Sequence, residues 1–537
     1  MFDVSNFRVV VGIDFGTIYS GYAFANKTDP DEIISQDTWP DQKGTLRTPT
    51  VLQYDNHWNV FKWGYPALTE YETLKKKKIS ARNETQTVEM FKLHLIDTLG
   101  HQKPPLPKGL TCWKAITDYL KALNQSIKKT LLIKWPELHY HSQVLKIMTI
   151  PAELDGNTLC MMRKCAYEAE IINTLDSKDL VFATEPEATA IYCVRSLNLK
   201  PGSAFLVVDC DLDTVDLTLR TFLATRKLSK VTDRTGDFCG STFVDREFIK
   251  YIASVVGESA MRIFKEKHKV AFQYMIKQFC DRVKFVFDGD REKFETTNFE
   301  FDVGRFCPEL MQYVQGDKKK RMKEEDWIIE LDYETVKSCF DPVVNRILQL
   351  IETQLGRSRL ATSAIFLVGE LSESIYLLQR VRRKFSSKVD TIAVPPFPLA
   401  AVARGAVYYG LDISFEVAAG PSLARPSFEA TAGPSLADPS LGVNAVTTRV
   451  VKRYGIKFKS EWKPGDPLSR RTADGHIYVF KTIAQREIMI SDDSEFTYEL
   501  IPSSNQTQVE VDFYTTCRDD VRYCDELGVV SLGQLLI

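Results

Sequence analysis

Neither sign of charge dominates this chain. Its 69 basic and 71 acidic side chains leave a formal net charge of −2. That excludes a general electrostatic pull toward nucleic acid or an anionic membrane. No apolar run is long enough to span a bilayer. The opening residues, MFDVSNFR, lack the basic stretch and apolar core of a secretory leader. The eleven cysteines include no C-x-x-C pair, and the nearest neighbours are Cys160/Cys165 and Cys517/Cys524. Neither a disulfide framework nor a zinc site is indicated, and reduced, packed thiols in a cytoplasmic protein are expected. His139 and His141 form an H-x-H without further ligands beside them. One stretch lacks apolar bulk altogether. SFEVAAGPSLARP, from residue 414, is followed at once by the near-copy SFEATAGPSLADP, and such a composition cannot build a core.

What is present is ordinary in bulk and distinctive in layout. A hydrophobic content of 44% with 26% charged residues suits a globular protein, and 537 residues exceed what one core holds. In VVVGIDFGTIYSGYAFA, residues 9–25, the apolar run Val9–Ile13 reads as a buried strand. It ends on Asp14, Gly16 allows a tight turn, and Gly21 to Ala25 reads as the return strand. A carboxylate at such a tip, beside free backbone N–H groups, suits a metal-bound phosphate; a plain tight turn is the alternative. FLVVDCDLDTVDLTLR, residues 205–220, repeats the layout with Asp209, a short turn, Thr214 and Asp216. Two acid-tipped hairpins facing each other across a cleft would let Asp14 and Asp209 hold a hydrated magnesium ion between them.

Elsewhere the spacing is helical over 113–133, with Trp113, Ile116, Tyr119, Leu120, Leu123, Ile127 and Leu131 on one face. Trp135-Pro136 ends that helix, a strand follows at Val144–Ile150, and Thr158–Glu170 reads as another helix. Thr184 is placed to cap a helix with Pro186 in its first turn, and Thr242 with Asp245 makes a capping-box-like start. VEMFKLHL (88–95) alternates apolar and polar residues and carries Lys92. The lysine run Lys75–Lys78 and the mixed-sign segment 317–326 read as solvated surface. Past residue 446, HIYVFKTI, EIMIS and the alternations Phe496/Tyr498/Leu500 and Val509/Val511/Phe513 read as strands. The apolar end Leu535-Leu536-Ile537 calls for a partner surface or marks an incomplete chain.

GIDFGTIYS resembles the first phosphate motif of the actin-like ATPase superfamily, and of the 70-kDa heat-shock chaperones in particular. KIMTIPAEL (146–154), TEPEATAIY (184–192), RTGDFCGSTFVDREF (234–248), QFCDRVKFVF (278–287), SAIFLVGELSES (363–374) and FPLAAVARGAVYYG (397–410) are similar to further family segments, in the family's order. CGSTFVD and GAVYYG resemble most the divergent heat shock 70 kDa protein 12 branch.

The resemblance covers about residues 8–410. It implies an α/β fold, the duplicated two-lobe actin-like ATPase (ribonuclease H-like) fold with a cleft between lobes, plus a short β-rich C-terminal segment. The expected division is 1–199 for lobe I, 200–413 for lobe II with its closing segment, 414–440 for a low-complexity linker or insert, and 441–537 for the β-rich segment. ATP and Mg2+ are the implied cofactors, and ATP/ADP with a protein client or co-chaperone the implied partners. Asp14 and Asp209 would serve the metal. Lys92, Glu185, Asp209 and Asp216 would serve catalysis. Gly16, Thr17, Ile18, Tyr19, Thr214, Gly240, Asp281, Lys284 and Gly369 would contact the nucleotide.

Several positions depart from the family pattern. The glycine triplet of the second phosphate turn is here Asp211-Leu212-Asp213. Side chains obstruct backbone approach to phosphate, and two added carboxylates repel it. The second glycine of the adenosine motif is Glu370, an adenine-stacking arginine is Phe285, and an acidic position of the second connecting segment is Leu399. Two function classes therefore stand: a chaperone-like Mg-ATP-binding protein with weak hydrolysis, and a degenerate scaffold without turnover. A small-molecule kinase is a third class, but no sugar-binding motif stands between residues 40 and 140.

Overall fold

The computed structural model describes residues 7–69, 85–95 and 103–418, apart from positions 153, 155, 198, 223–227, 231–234, 298 and 359, and in the C-terminal part 446–449, 453–484, 489–490, 510–516, 521–526 and 529–536. The chain divides into two compact units, Met1–Arg226 with Val231–Asn444, and Lys227–Lys230 with Ala445–Ile537.

The larger unit is mixed α/β. Strand β1 (Val9–Asp14) is buried along its whole length. β2 (Tyr19–Asn26) returns antiparallel with Asp14 opposite Gly21, and β3 (Asp29–Ser35) extends the meander. Helix α1 (Cys112–Lys134) starts at Thr111, whose hydroxyl accepts the Lys114 N–H. β4 (Val144–Ile150) lies parallel to β1, and β5 (Leu180–Thr184) parallel to β4. Helix α2 (Gly156–Glu168) forms the crossover between β4 and β5, and α3 (Glu185–Leu197) leaves β5 directly. The sheet order is β5-β4-β1-β2-β3. Strands covered on both faces need continuous apolar runs. Val9, Val11 and Ile13 pack with Tyr119 and Leu123 of α1. Val10 and Ile147 pack on the opposite face with Ala403, Ala406 and Val407.

The second sheet repeats the plan. β6 (Ala204–Cys210) and β7 (Val215–Phe222) form an antiparallel hairpin with Asp209 opposite Asp216, and β8 (Thr235–Asp237) adds to β7. Helices α4 (Ser241–Val256), α5 (Lys269–Phe279) and α6 (Tyr333–Arg357) follow. β9 (Thr362–Val368) lies parallel to β6, α7 (Ile375–Phe385) crosses over, and β10 (Thr391–Ala393) lies parallel to β9. The order β10-β9-β6-β7 thus has the same strand directions as β5-β4-β1-β2. Helix α8 (Ala401–Ala418) packs against α3 and β1. The first sheet also encloses an ion pair, Lys146 Nζ to Asp179 at 2.6 Å, with both side chains fully buried.

Local differences from expectation have local causes. α4 begins at Ser241 with Gly240 at its N-cap, not at Thr242, because the Thr242 hydroxyl donates to Asp213 instead. The alternating segment 88–95 spans two elements. A short strand, Gln86–Glu89, gives way to a 3₁₀ turn over Phe91–Leu95, with Met90 between them at φ 57°. α8 runs to Ala418, into the first repeat copy. The rest of the repeat, the lysine run 75–78 and the 496–500 alternation lie outside the described residues. All ten described cysteines are free, and six of them are buried.

The smaller unit is β-rich. β11 (Arg453–Glu461), β12 (His476–Ala484), β13 (Glu510–Thr516) and β14 (Val529–Leu536) form an antiparallel sheet in the order β12-β11-β13-β14. Within the same unit, Val446–Arg449 pairs parallel with Leu228–Lys230 and antiparallel with Met489–Ile490.

Candidate functional site

The two hairpin tips share one cavity. Asp14, Gly16, Thr17, Ile18 and Tyr19 line it from the first turn, and Asp209, Asp211, Leu212, Asp213, Thr214 and Asp216 from the second. Lys92, Glu185 and Gly369 join them, and the cavity holds about 210 Å3.

Each turn is fixed by its own sequence. A Cβ on Gly16 would lie 2.0 Å from the carbonyl oxygen of Tyr19, so only glycine closes the first turn. The Gly16 N–H donates to Ser20 Oγ at 3.2 Å, and Thr50 Oγ1 donates to the Gly16 carbonyl at 3.0 Å. Behind it, Phe15 packs against Phe91 and Tyr119 with ring centroids 6.3 and 5.9 Å away, and the Tyr119 hydroxyl donates to Pro49 O at 3.1 Å. In the second turn the carbonyls of Asp211 and Leu212 accept the first amides of α4, from Ser241 and Thr242, at 2.9 and 2.8 Å. Asp213 O accepts from Gly240 N at 3.2 Å. The amides of Thr17, Ile18, Leu212, Asp213 and Thr214 donate to no protein group among the described residues. Gly369, at φ 80°, ends β9 where a Cβ would meet Asp209 Oδ1 at 2.7 Å. Left-handed backbone and close approach both demand glycine there.

Lys92 is buried, donates to the Phe15 carbonyl, and pairs with Glu185 at 2.5 Å. The left-handed Met90 redirects the chain so that the 3₁₀ turn delivers this lysine to the cavity. A non-glycine residue in that conformation costs on the order of 1 kcal/mol or more, and such strain clusters at functional sites. Glu185 opens α3 at the positive end of the helix dipole. Burial, then the neighbouring Glu185, pushes the Asp14 carboxyl up to about 7 against the pull of Lys92 and Arg47. Asp209 is raised well above the usual range by burial, then by Asp211, Asp216 and Glu185.

The two extra carboxylates of the second turn are not loose. Asp211 accepts from Arg47 Nη1 at 3.0 Å, and Asp213 accepts from Thr242 Oγ1 at 2.5 Å. Glu370 accepts from Ser241 Oγ at 3.0 Å and lies 3.9 Å from both Arg47 and Lys284. Lys284 is fully buried and donates to Asp245 at 2.7 Å and to Ser241 O at 3.0 Å. Asp281 is half-exposed and pairs with Lys277 one turn away. Gly240, Asp281 and Lys284 therefore do not line the cavity, whereas the other expected site residues do. Sequence reasoning missed Arg47, Met90, Phe238, Pro398 and Val402, which also line it. Arg47 sits in LRTPT, where no local pattern distinguishes it from any surface arginine.

The donor set suits magnesium held through water. Among the described residues no three His, Cys, Asp or Glu side chains converge as a direct metal shell. Mg2+ characteristically keeps several waters and takes one or two carboxylates. Asp14 is buried and accepts no hydrogen bond among the described residues, so a nearby divalent charge would favour its ionised form.

No family model matches the chain. Individual curated proteins do. Heat shock 70 kDa protein 12A of Mus musculus is 24% identical over 480 residues, covering 76% of this chain and 70% of that protein. Heat shock 70 kDa protein 12A of Homo sapiens is likewise 24% identical, over 481 residues. Heat shock 70 kDa protein 12B of Homo sapiens is 22% identical over 618 residues, covering 99% of this chain and 84% of that protein. The chain is therefore a distant relative of the heat shock 70 kDa protein 12 branch.

Proposed function

We propose that this chain is a chaperone-like Mg-ATP-binding protein of the 70-kDa heat-shock type, built on a duplicated actin-like fold whose two lobes close on the nucleotide. One observation carries the reading. Asp14 and Asp209 lie at the C-terminal ends of equivalent strands, Asp14 last and Asp209 next to last, in two like-ordered sheets, and line a single cavity. The open amides of the two turns supply donors for phosphate oxygens. Bound magnesium would neutralise phosphate charge there. Asp14 and Asp209 would hold its water shell, and Glu185 would order those waters. Lys92, already fixed by Glu185 and the Phe15 carbonyl, positions the attacking water, and Asp209 or Asp216 takes its proton. The β-rich segment follows the nucleotide-binding part in sequence, as the peptide-binding sandwich does in the chaperones it resembles, and would take a client peptide; the free cysteines suit a reducing, cytoplasmic setting.

The scaffold alternative has its own support. The cavity of about 210 Å3 falls below the roughly 300 Å3 at which small-molecule sites begin. Glu370 replaces a glycine of the adenosine motif with a side chain that would crowd a nucleoside, and Lys284 is already paired with Asp245. Isothermal titration with Mg-ATP and Mg-ADP, beside a phosphate-release assay, tests both readings. Saturable heat that Asp14→Asn abolishes supports the first, and binding without phosphate release places the protein between the two. No heat from the folded wild type overturns nucleotide binding and leaves the scaffold.

A further inference from the structure

Arg47 is the one charged residue among the cavity-lining residues that no motif predicts. Its side chain is 12% exposed, and it bonds Asp211 across the cavity from the segment before β2's short partner Thr48–Pro49. Its guanidinium carbon stands 5.5 Å from the Tyr19 ring centre, and Nη2 stands 3.9 Å from Glu370. Burial alone would lower its pKa, but Asp211, Glu370 and Asp14 outweigh that and raise it. It stays charged at any working pH. A guanidinium offers five N–H donors in a planar fork. Among the described residues only the one to Asp211 forms a hydrogen bond. The other cation of the cavity lining, Lys92, is already committed to Glu185 and the Phe15 carbonyl.

We propose that Arg47 is the phosphate-binding cation of this cavity, and that Asp211 is a built-in competitor for it. The proposal rests on the magnesium–nucleotide reading above. A carboxylate and a phosphate present the same paired-oxygen edge to a guanidinium fork. Asp211 sits on the very turn whose amides would meet the phosphates, so it occupies Arg47 while the cavity is empty and yields it when a polyphosphate enters. The two added carboxylates of the turn then act as a threshold on affinity, not as a bar to binding.

The test is a double-mutant cycle read by isothermal titration on the full chain, with circular dichroism and thermal melting to confirm each fold. Mg-ADP, Mg-pyrophosphate and adenosine are the three probes. Arg47→Gln is expected to weaken Mg-ADP and Mg-pyrophosphate by about tenfold or more, and adenosine by less than about twofold. Asp211→Asn is expected to tighten both phosphate probes by roughly three- to tenfold, and that gain should vanish in the double variant. Should Arg47→Gln fail to fold, Arg47→Lys replaces it, keeping the charge but losing the fork, with about threefold weakening expected. Unchanged or tighter phosphate binding in the Arg47 variant overturns the proposal, because Arg47 is then only a clasp. So does an Asp211→Asn gain retained in full without Arg47. No heat from either wild type or Asp211→Asn with Mg-ADP overturns the nucleotide reading and this proposal together.

Discussion

The β1–β2 and β6–β7 turns occupy corresponding places in two sheets of the same strand order, yet they solve the same steric problem differently. The first uses an absent side chain: Gly16 leaves room for the Tyr19 carbonyl, and Ser20 and Thr50 hold the loop. The second uses side chains and then ties them down, with Asp211 on Arg47 and Asp213 on Thr242. Its backbone is anchored by carbonyls that accept the first amides of α4. The difference teaches that losing a glycine triplet need not open a turn to repulsion. The compensating charge came from a distant segment, which is where the cost of the two carboxylates is offset.

The comparison can be broken in three places. The largest effect is expected at Asp14. Its unfolded carboxyl ionises near 3.8, whereas the folded one holds its proton up to about 7. Between those values the native state binds more protons, so this residue's contribution to stability falls as pH rises from about 4 to 7 and is level above that. Three units correspond to about 4 kcal/mol at most. Urea unfolding of the nucleotide-free protein should show Asp14→Asn more stable than wild type by up to that amount at pH 8, with the gap closing toward pH 4. A gap independent of pH would refute it. Next comes Gly16→Ala, whose methyl must displace the Tyr19 carbonyl and should cost about 3 kcal/mol in the same assay. Leu212→Gly in the other turn should cost clearly less; equal losses would mean the turns are not built differently. Smallest is Asp281→Ala. Its exposed pair with Lys277 is worth no more than about 0.5 kcal/mol, and Mg-ADP affinity should move by less than about twofold. A tenfold loss there would return Asp281 to the site.

Much of this was legible because it is periodic or compositional. The apolar runs of β1 and β6 announced buried strands, and the stripe from Ile116 to Leu131 announced α1. Acid-tipped hairpins repeated along the chain announced a pair of like turns. What stayed hidden depends on contacts far apart in sequence. Thr242 looks like a cap residue until Asp213 is beside it. Lys284 looks available until burial and Asp245 claim it. Arg47 looks like surface because its partner is 164 residues away. Met90 gives no signal at all, since left-handed methionine is imposed by the surrounding packing and not by local preference.

The aromatic wall of Phe15, Phe91 and Tyr119 makes the first turn mechanically stiff. Trp63 buttresses Tyr119 from a further side at 5.8 Å, so no neighbour has room to recoil. Any reshaping as a guest enters must therefore be borne by the opposite bank, where polar contacts can be exchanged one for another. A guest would meet fixed aromatic packing on one bank and, on the other, the exchangeable ion pair at residue 211.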